Sequence, residues 1–226
     1  MTARSAALLA FLLCAIAAPA TAQDKAPERK ALRVCQDPNN LPFSNTKGEG
    51  IENRIADVFG KALGLPVTYY SFPQRLAFIR NTLRYKLPGQ DYPCDIVMSV
   101  PVGFDQVSAT KAYYRSTYAL VFPKDKGLDE VKSSADFLAL GKDKLGKLRI
   151  GIYDRSPASE WLTKHGLTES GVPYKIMNAD PEQYPGDIIE KDLAAGKLDV
   201  AIVWGPIAGF FAKRLKTPAL TVVPPE

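Results

Sequence analysis

The sequence predicts an α/β protein of two lobes joined by a hinge, each lobe a mostly parallel sheet flanked by helices. Three observations predict it. Strand and helix patterns alternate along the chain, the order that βαβ units require. The series strand, helix, strand, helix, strand occurs twice. The two halves also share phrases. Arg33-Val34-Cys35-Gln36-Asp37 in the first stands where Arg149-Ile150-Gly151-Ile152-Tyr153 stands in the second, and 94–101 (CDIVMSVP) parallels 198–206 (LDVAIVWGP).

The elements follow in order. Residues 32–35 read as a short buried strand. In 51–63, Ile51, Ile55, Val58, Phe59, Ala62 and Leu63 recur at helical spacing, which predicts a helix that Gly64 stops. Aromatic and β-branched residues make 67–72 a strand. Leu76, Ile79 and Leu83 share one face of a second helix over 74–84. Residues 94–100 and 118–122 are apolar strands. A hinge is expected at Phe122-Pro123-Lys124. In the second half, 149–153 reads as a strand and 158–165 as a helix, with Ser156 as its cap and Pro157 in its first turn. Strands are expected at 174–177, 198–204 and 220–223, and helices at 186–195 and 207–214. The organisation expected is a signal peptide over 1–22, a polar leader over 23–30, lobe one over 31–121, and hinge plus lobe two over 122–226.

The first 22 residues carry Arg4, an apolar stretch over 6–18 and the small-x-small signal Ala20-Thr21-Ala22. This is the pattern of a secretory signal peptide cut before Gln23, and it predicts a periplasmic protein. Cys14 follows the bulky Leu13, which argues against lipidation. No later apolar run reaches the ~18 residues that a membrane helix needs. Removing the signal takes away only Arg4 of the 29 basic residues and none of the 24 acidic ones, leaving a net charge of +4. The charges are scattered, so nucleic acid is not expected; an acidic partner surface suits them better.

Composition excludes several chemistries. The sequence has one histidine, His165, so neither a histidine pair nor an HExxH zinc motif exists. No phosphate loop, dinucleotide fingerprint or nucleophile elbow appears. Asp154 and Glu160 could form a carboxylate pair, but a solvated helix start explains them more simply. His165 before Gly166 reads as a helix-end residue. Catalysis is therefore not expected, nor is a cofactor or metal of the protein's own. Two cysteines remain after export, Cys35 and Cys94, and an exported even pair predicts a disulfide over two free thiols.

Ligands in such folds sit beyond the carboxyl ends of the strands. That nominates the loops at 36–46, 99–106, 154–158 and 204–206. Asn39, Asn40 and Phe43 form a cleft wall or an Asx-type turn with Phe43 tucked into the core. Met98, Ser99 and Gln106 follow the third strand. Arg155 and Ser156 sit at a helix start, where backbone N–H groups can hold an anion or simply be capped. Trp204 lines an apolar cavity or packs in the core. Tyr113, Tyr114, Arg115 and Tyr118 form an aromatic and basic cluster of the kind enriched at interfaces, or pack beside the hinge.

The layout resembles the periplasmic binding proteins of type II, in the bilobal amino-acid-binding class. One phrase is sharper: Leu32-Arg33-Val34-Cys35-Gln36-Asp37-Pro38-Asn39-Asn40-Leu41-Pro42-Phe43-Ser44-Asn45. Gly48-Glu49-Gly50-Ile51-Glu52-Asn53 and Tyr113-Tyr114-Arg115-Ser116-Thr117-Tyr118 go with it. These are similar to the quinoprotein-dehydrogenase-associated branch of that class, the MxaJ/XoxJ type. The resemblance runs from about Leu32 onward. It implies a non-enzymatic periplasmic accessory protein of methanol oxidation. Its partner would be a methanol dehydrogenase carrying pyrroloquinoline quinone, with the cytochrome c of that dehydrogenase a further candidate. A small-molecule ligand in the cleft and no stable membrane insertion complete the expectation.

Two departures from the class stand out. Amino-acid binders carry an arginine after the third strand for the ligand carboxylate; Gly103-Phe104-Asp105-Gln106 offers none. They carry an aspartate after the last strand of lobe two; Trp204-Gly205-Pro206 has none. The alternative reading, a binding subunit of an ABC importer, would therefore need a solute without amino-acid-type charges. Members of the class also return to lobe one after a second hinge. The sequence ends at Val222-Val223-Pro224-Pro225-Glu226, where that return would start. Lobe one is thus expected to expose apolar surface and a sheet edge.

Overall fold

The computed structural model describes residues 28–74, 77–176, 180 and 182–224. The signal peptide, Cys14, most of the polar leader, Leu76 and Met177 lie outside the described residues.

The first unit is built on β1 (Leu32–Gln36), with β2 (Asn39–Asn40) and β3 (Ser44–Asn45) forming a small antiparallel hairpin after it. Next come α1 (Ile51–Leu63), β4 (Val67–Ser71), α2 (Phe78–Asn81) and β5 (Ile96–Val97). Strand β1 lies in the centre of a parallel sheet ordered β4-β1-β5. Its alternation places Leu32 and Val34 in a small core with Ala56 and Met98. Strand β5 is only two residues long, although 94–100 is apolar. The chain leaves the ladder near Ser99, whose φ of +55° is outside the extended range that regular strand pairing needs. Helix α2 is likewise one turn rather than the helix expected over 74–84, for Ala77 sits at φ +54° ahead of it.

Helix α1 matches the expected bounds, but its orientation is a finding. It docks on the sheet through Asn53, Ala56 and Gly60. A methyl group at Gly60 would lie 2.5 Å from the Val67 side chain, so only glycine fits there without a shift. Of the apolar stripe read from the sequence, Ile55 packs against the core. Val58 (65% exposed), Leu63 (61%), Phe59 and Ile51 face solvent. At helical spacing the apolar stripe lies on the side of α1 opposite Asn53, Ala56 and Gly60, so seating the small face on the sheet turns the stripe outward. Gly64 ends the helix at φ +67°, as expected of a left-handed cap.

The second unit comprises β6 (Tyr118–Pro123), α3 (Ser134–Ala139), α4 (Lys142–Leu145), β7 (Ile150–Tyr153), α5 (Pro157–Lys164), β8 (Gly171–Tyr174), β9 (Val200–Trp204), α6 (Gly205–Arg214) and β10 (Leu220–Val223). A π-helical turn occupies Ile188–Leu193. The five strands run in the order β10-β6-β9-β7-β8. Strand β7 is parallel to β8 and β9, while β6 is antiparallel to both β9 and β10. The sheet is therefore mixed. Residues 118–121, expected to end lobe one, and Phe122 and Pro123 of the expected hinge all lie in β6, inside this second sheet.

Period-two alternation buries both faces of that sheet. Leu120, Phe122, Ile150, Ile152, Val200 and Ile202 face Phe137, Leu145 and Leu162 on one side. Ala119, Val121, Ala201 and Val203 face Ile188, Leu193, Ile207 and Phe211 on the other. Strand β8 begins three residues before the expected one because Pro173 is tolerated on a sheet edge.

Candidate functional site

Four loops leave the carboxyl ends of β1, β5, β7 and β9, and they hold the residues that the sequence nominates. The first loop is organised by Asp37. Its buried carboxylate accepts the N–H groups of Asn39 (2.8 Å) and Gln74 (2.6 Å), and its carbonyl accepts the Ser44 hydroxyl at 2.9 Å. Asn40 is buried and donates its amide to Gln74 Oε1 at 2.7 Å. The loop is thus an Asx-type turn whose second amide is already committed within the fold. Leu41 and Phe43 at the hairpin tip pack against the Val121 and Ile207 core of the second unit. The Phe43 carbonyl accepts the Glu52 N–H at 2.8 Å.

A close approach fixes this hairpin on α1. A Cβ at Gly50 would lie 2.0 Å from the Phe43 carbonyl oxygen, so no other residue fits without backbone movement. Asn53 Oδ1 accepts the N–H groups of Gly50 and Asn45, and its amide donates to Gln36 Oε1 at 2.8 Å. The Cys35–Cys94 disulfide, expected from the sequence, links the end of β1 to the approach to β5, with Cα atoms 5.4 Å apart.

The second loop gathers Met98, Ser99 and Gln106 around a cavity of about 390 Å³. Met98 is a core residue as well as a wall of this cavity. The Ser99 N–H donates to the Tyr113 hydroxyl at 2.9 Å. Ser99 also bonds to Glu52, in the first turn of α1. Burial pushes the Glu52 carboxyl up to about 7; the Ser99 bond opposes that shift and the Asp37 charge adds to it. Every described residue on the cavity wall belongs to the first unit.

The other nominated residues form two separate groups. Tyr113 and Tyr114 meet with ring centres 5.5 Å apart and planes tilted by 51°, both rings partly in solvent, and Arg115 beside them is exposed. Tyr118 does not join them. It stands opposite Trp204 across the β6–β9 ladder, with rings 5.5 Å apart at 71°. Burial raises the Tyr118 hydroxyl's pKa and a bond with Ser156 opposes the shift. Ser156 is buried and donates its hydroxyl to the Tyr153 carbonyl at 2.6 Å. Arg155 is exposed at φ +50° and pairs with Asp154. In the fourth loop, a Cβ at Gly205 would lie 2.7 Å from the Thr117 carbonyl oxygen. That crowding leaves no room after Trp204 for the acidic side chain of amino-acid binders.

Glu52, Gln74 and Phe78 were not nominated from the sequence, and Phe104 only as part of the loop at 99–106. Glu52 carried a signal, an acidic residue in the first turn of a helix whose start was legible. Gln74 and Phe78 were read only as part of the helix expected over 74–84; the structure puts Gln74 before that helix and Phe78 at its start.

No protein-family model matches the chain. Among solved structures, the periplasmic binding protein XoxJ from Methylobacterium extorquens AM1 is 34% identical, with a TM-score of 0.65 over 87% of this chain and 78% of that one. MxaJ from Methlophaga aminisulfidivorans MPT is 25% identical, with the same TM-score and the same coverage. Among curated proteins, MoxJ of Methylorubrum extorquens is 29% identical over the whole of this chain and 77% of its own length.

Proposed function

We propose, for a chain that belongs to the MoxJ/XoxJ family of periplasmic binding proteins, that it serves methanol oxidation as an accessory protein of a quinoprotein methanol dehydrogenase. It works in the periplasm and acts in the maturation or activation of that enzyme. The quinone and its metal belong to the dehydrogenase on this reading. The protein itself binds and does not catalyse.

The family relationship carries the proposal. The site supports it from the other side. The positions where amino-acid binders place their charged anchors hold Gln106, Gly205 and Pro206 here, so a zwitterion has no matched seat. The exposed Tyr113, Tyr114 and Arg115 are residue types favoured at binding hot spots, and they supply the docking surface for the dehydrogenase.

Deleting the gene and following methanol-dependent respiration tests the reading. The expected result is lost or delayed methanol dehydrogenase activity, restored by the wild-type chain and restored poorly by Tyr113→Ala with Tyr114→Ala. A deletion strain that oxidises methanol at the parental rate overturns it.

A further inference from the structure

Strand β4 is an open edge of the three-stranded sheet. We propose that a second copy of this chain pairs with it, antiparallel and about a two-fold axis at Tyr69, with α1 meeting its copy alongside.

The backbone sets the register. The Pro66 carbonyl accepts the Leu32 N–H at 2.9 Å, and the Phe72 N–H donates to the Gln36 carbonyl at 2.9 Å. Alternate residues of a strand turn their backbone groups to the same side, so Pro66, Thr68, Tyr70 and Phe72 face β1. Val67, Tyr69 and Ser71 then present their N–H and C=O groups outward, where no described strand meets them. These three are placed symmetrically about Tyr69. An antiparallel copy with Tyr69 opposite Tyr69 and Val67 opposite Ser71 pairs every one of those groups.

The side chains suit the same pairing. Strand β4 (VTYYS) contains neither charge nor proline, the usual guards of an edge, whereas the edge strand β8 carries Pro173. On one face Tyr69 comes beside its own copy. On the other, Thr68 lies opposite Tyr70, twice. Aromatic pairs and aromatic–β-branched pairs are the stabilising kind across strands.

Helix α1 carries the complementary charges. It runs antiparallel to β4, with Gly60 against Val67 and the Asn53 carbonyl accepting the Tyr69 hydroxyl at 3.4 Å. From Val67 to Tyr69 is about 7 Å of strand, which equals about five residues of helix. The axis at Tyr69 therefore passes between Arg54 and Asp57. Both are exposed and flank the β4 side of α1. Burial raises the Tyr69 hydroxyl's pKa, the Asn53 bond opposes the shift, and the nearby Asp57 charge adds to it. Two-fold symmetry sets Arg54 of each copy opposite Asp57 of the other. Tyr113 bonds to Ser99 beyond β5, the opposite edge, and stays free. The pairing can thus fail without the dehydrogenase reading.

One short strand and one helix make less than a standard interface, so a Kd of about 10–100 μM is expected. Sedimentation of the mature protein should show monomer passing to dimer across that range. Arg54→Asp and Asp57→Arg each set like charges across the axis and should weaken the dimer at least about tenfold. Combined in one chain, they should restore it. Tyr69→Cys should form an intermolecular disulfide on mild oxidation, since the native Cys35 and Cys94 are already bonded to each other. Thr68→Cys should not, because its offset in the register holds the two Cα atoms about 8 Å apart, beyond disulfide reach. A monomer throughout, a double variant no better than the single ones, or equal cross-linking at the two positions overturns the proposal.

Discussion

The Tyr113 hydroxyl accepts the backbone N–H of Ser99 at 2.9 Å, and this bond ties the crossover between the two units to the end of β5. Residues 99–117 contain no helix or strand, so few other bonds hold them. Replacing Tyr113 by Phe should cost about 0.5–1.5 kcal/mol, the usual worth of one such bond. Amide exchange at Ser99 should accelerate with it. Unchanged exchange at Ser99 would show that the crossover is held elsewhere.

Glu52 makes stability depend on pH. Its folded-state pKa lies near 7 against a reference of 4.5, so the folded protein holds this proton more tightly than the unfolded chain does. Its contribution is therefore lost as pH rises from about 4.5 to 7 and is fully lost above 7. Glu52→Gln should stabilise the protein by about 1–3 kcal/mol at pH 8 and by almost nothing at pH 4.5. Urea melts of both proteins across that range measure it. A pH-independent difference contradicts the assignment.

The Cys35–Cys94 bond spans 59 positions, and both cysteines are buried. Closing a loop of that size limits the unfolded chain, and its loss should cost about 4 kcal/mol. Cys35→Ala with Cys94→Ala, or unfolding under strong reductant, should lower the urea midpoint accordingly. A shift below about 1 kcal/mol would mean that the first unit is held by its packing alone.

Gly50→Ala should destabilise the protein by about 1–3 kcal/mol, because the added methyl meets backbone and not a movable side chain. Gly48→Ala, two residues earlier, adds a methyl into open space but at φ +72°. Its cost is therefore backbone strain alone. The contrast between the two, read from thermal melts and from the release of the hairpin, separates steric contact from strain.

Much of the fold was legible because continuous apolar runs mark buried strands, as in β6 and β9, and because Gly64 marks the end of α1. Helices α3 and α4 were not legible. They are short, and their signal is local: Ser133 accepts the Asp136 N–H at 3.0 Å, a cap that periodicity does not reveal. The β2–β3 hairpin was hidden because two-residue strands leave no alternation to read. The apolar stripe of α1 was read correctly as a helix, but its seat was decided by Gly60 against Val67, a matter of size that no spacing encodes. At the site, the sequence found residues that flank strands and missed those that arrive by turns. It placed Tyr118 with Tyr113 and Tyr114 by proximity in sequence; strand pairing gives it to Trp204 instead.

The hairpin tip belongs to two bodies at once. Leu41 and Phe43 pack against the core of the second unit, while Asn40 and Asp37 hold Gln74 in the first. The hairpin is therefore a seam: one short turn belongs to the packing of one unit and to the hydrogen bonding of the other.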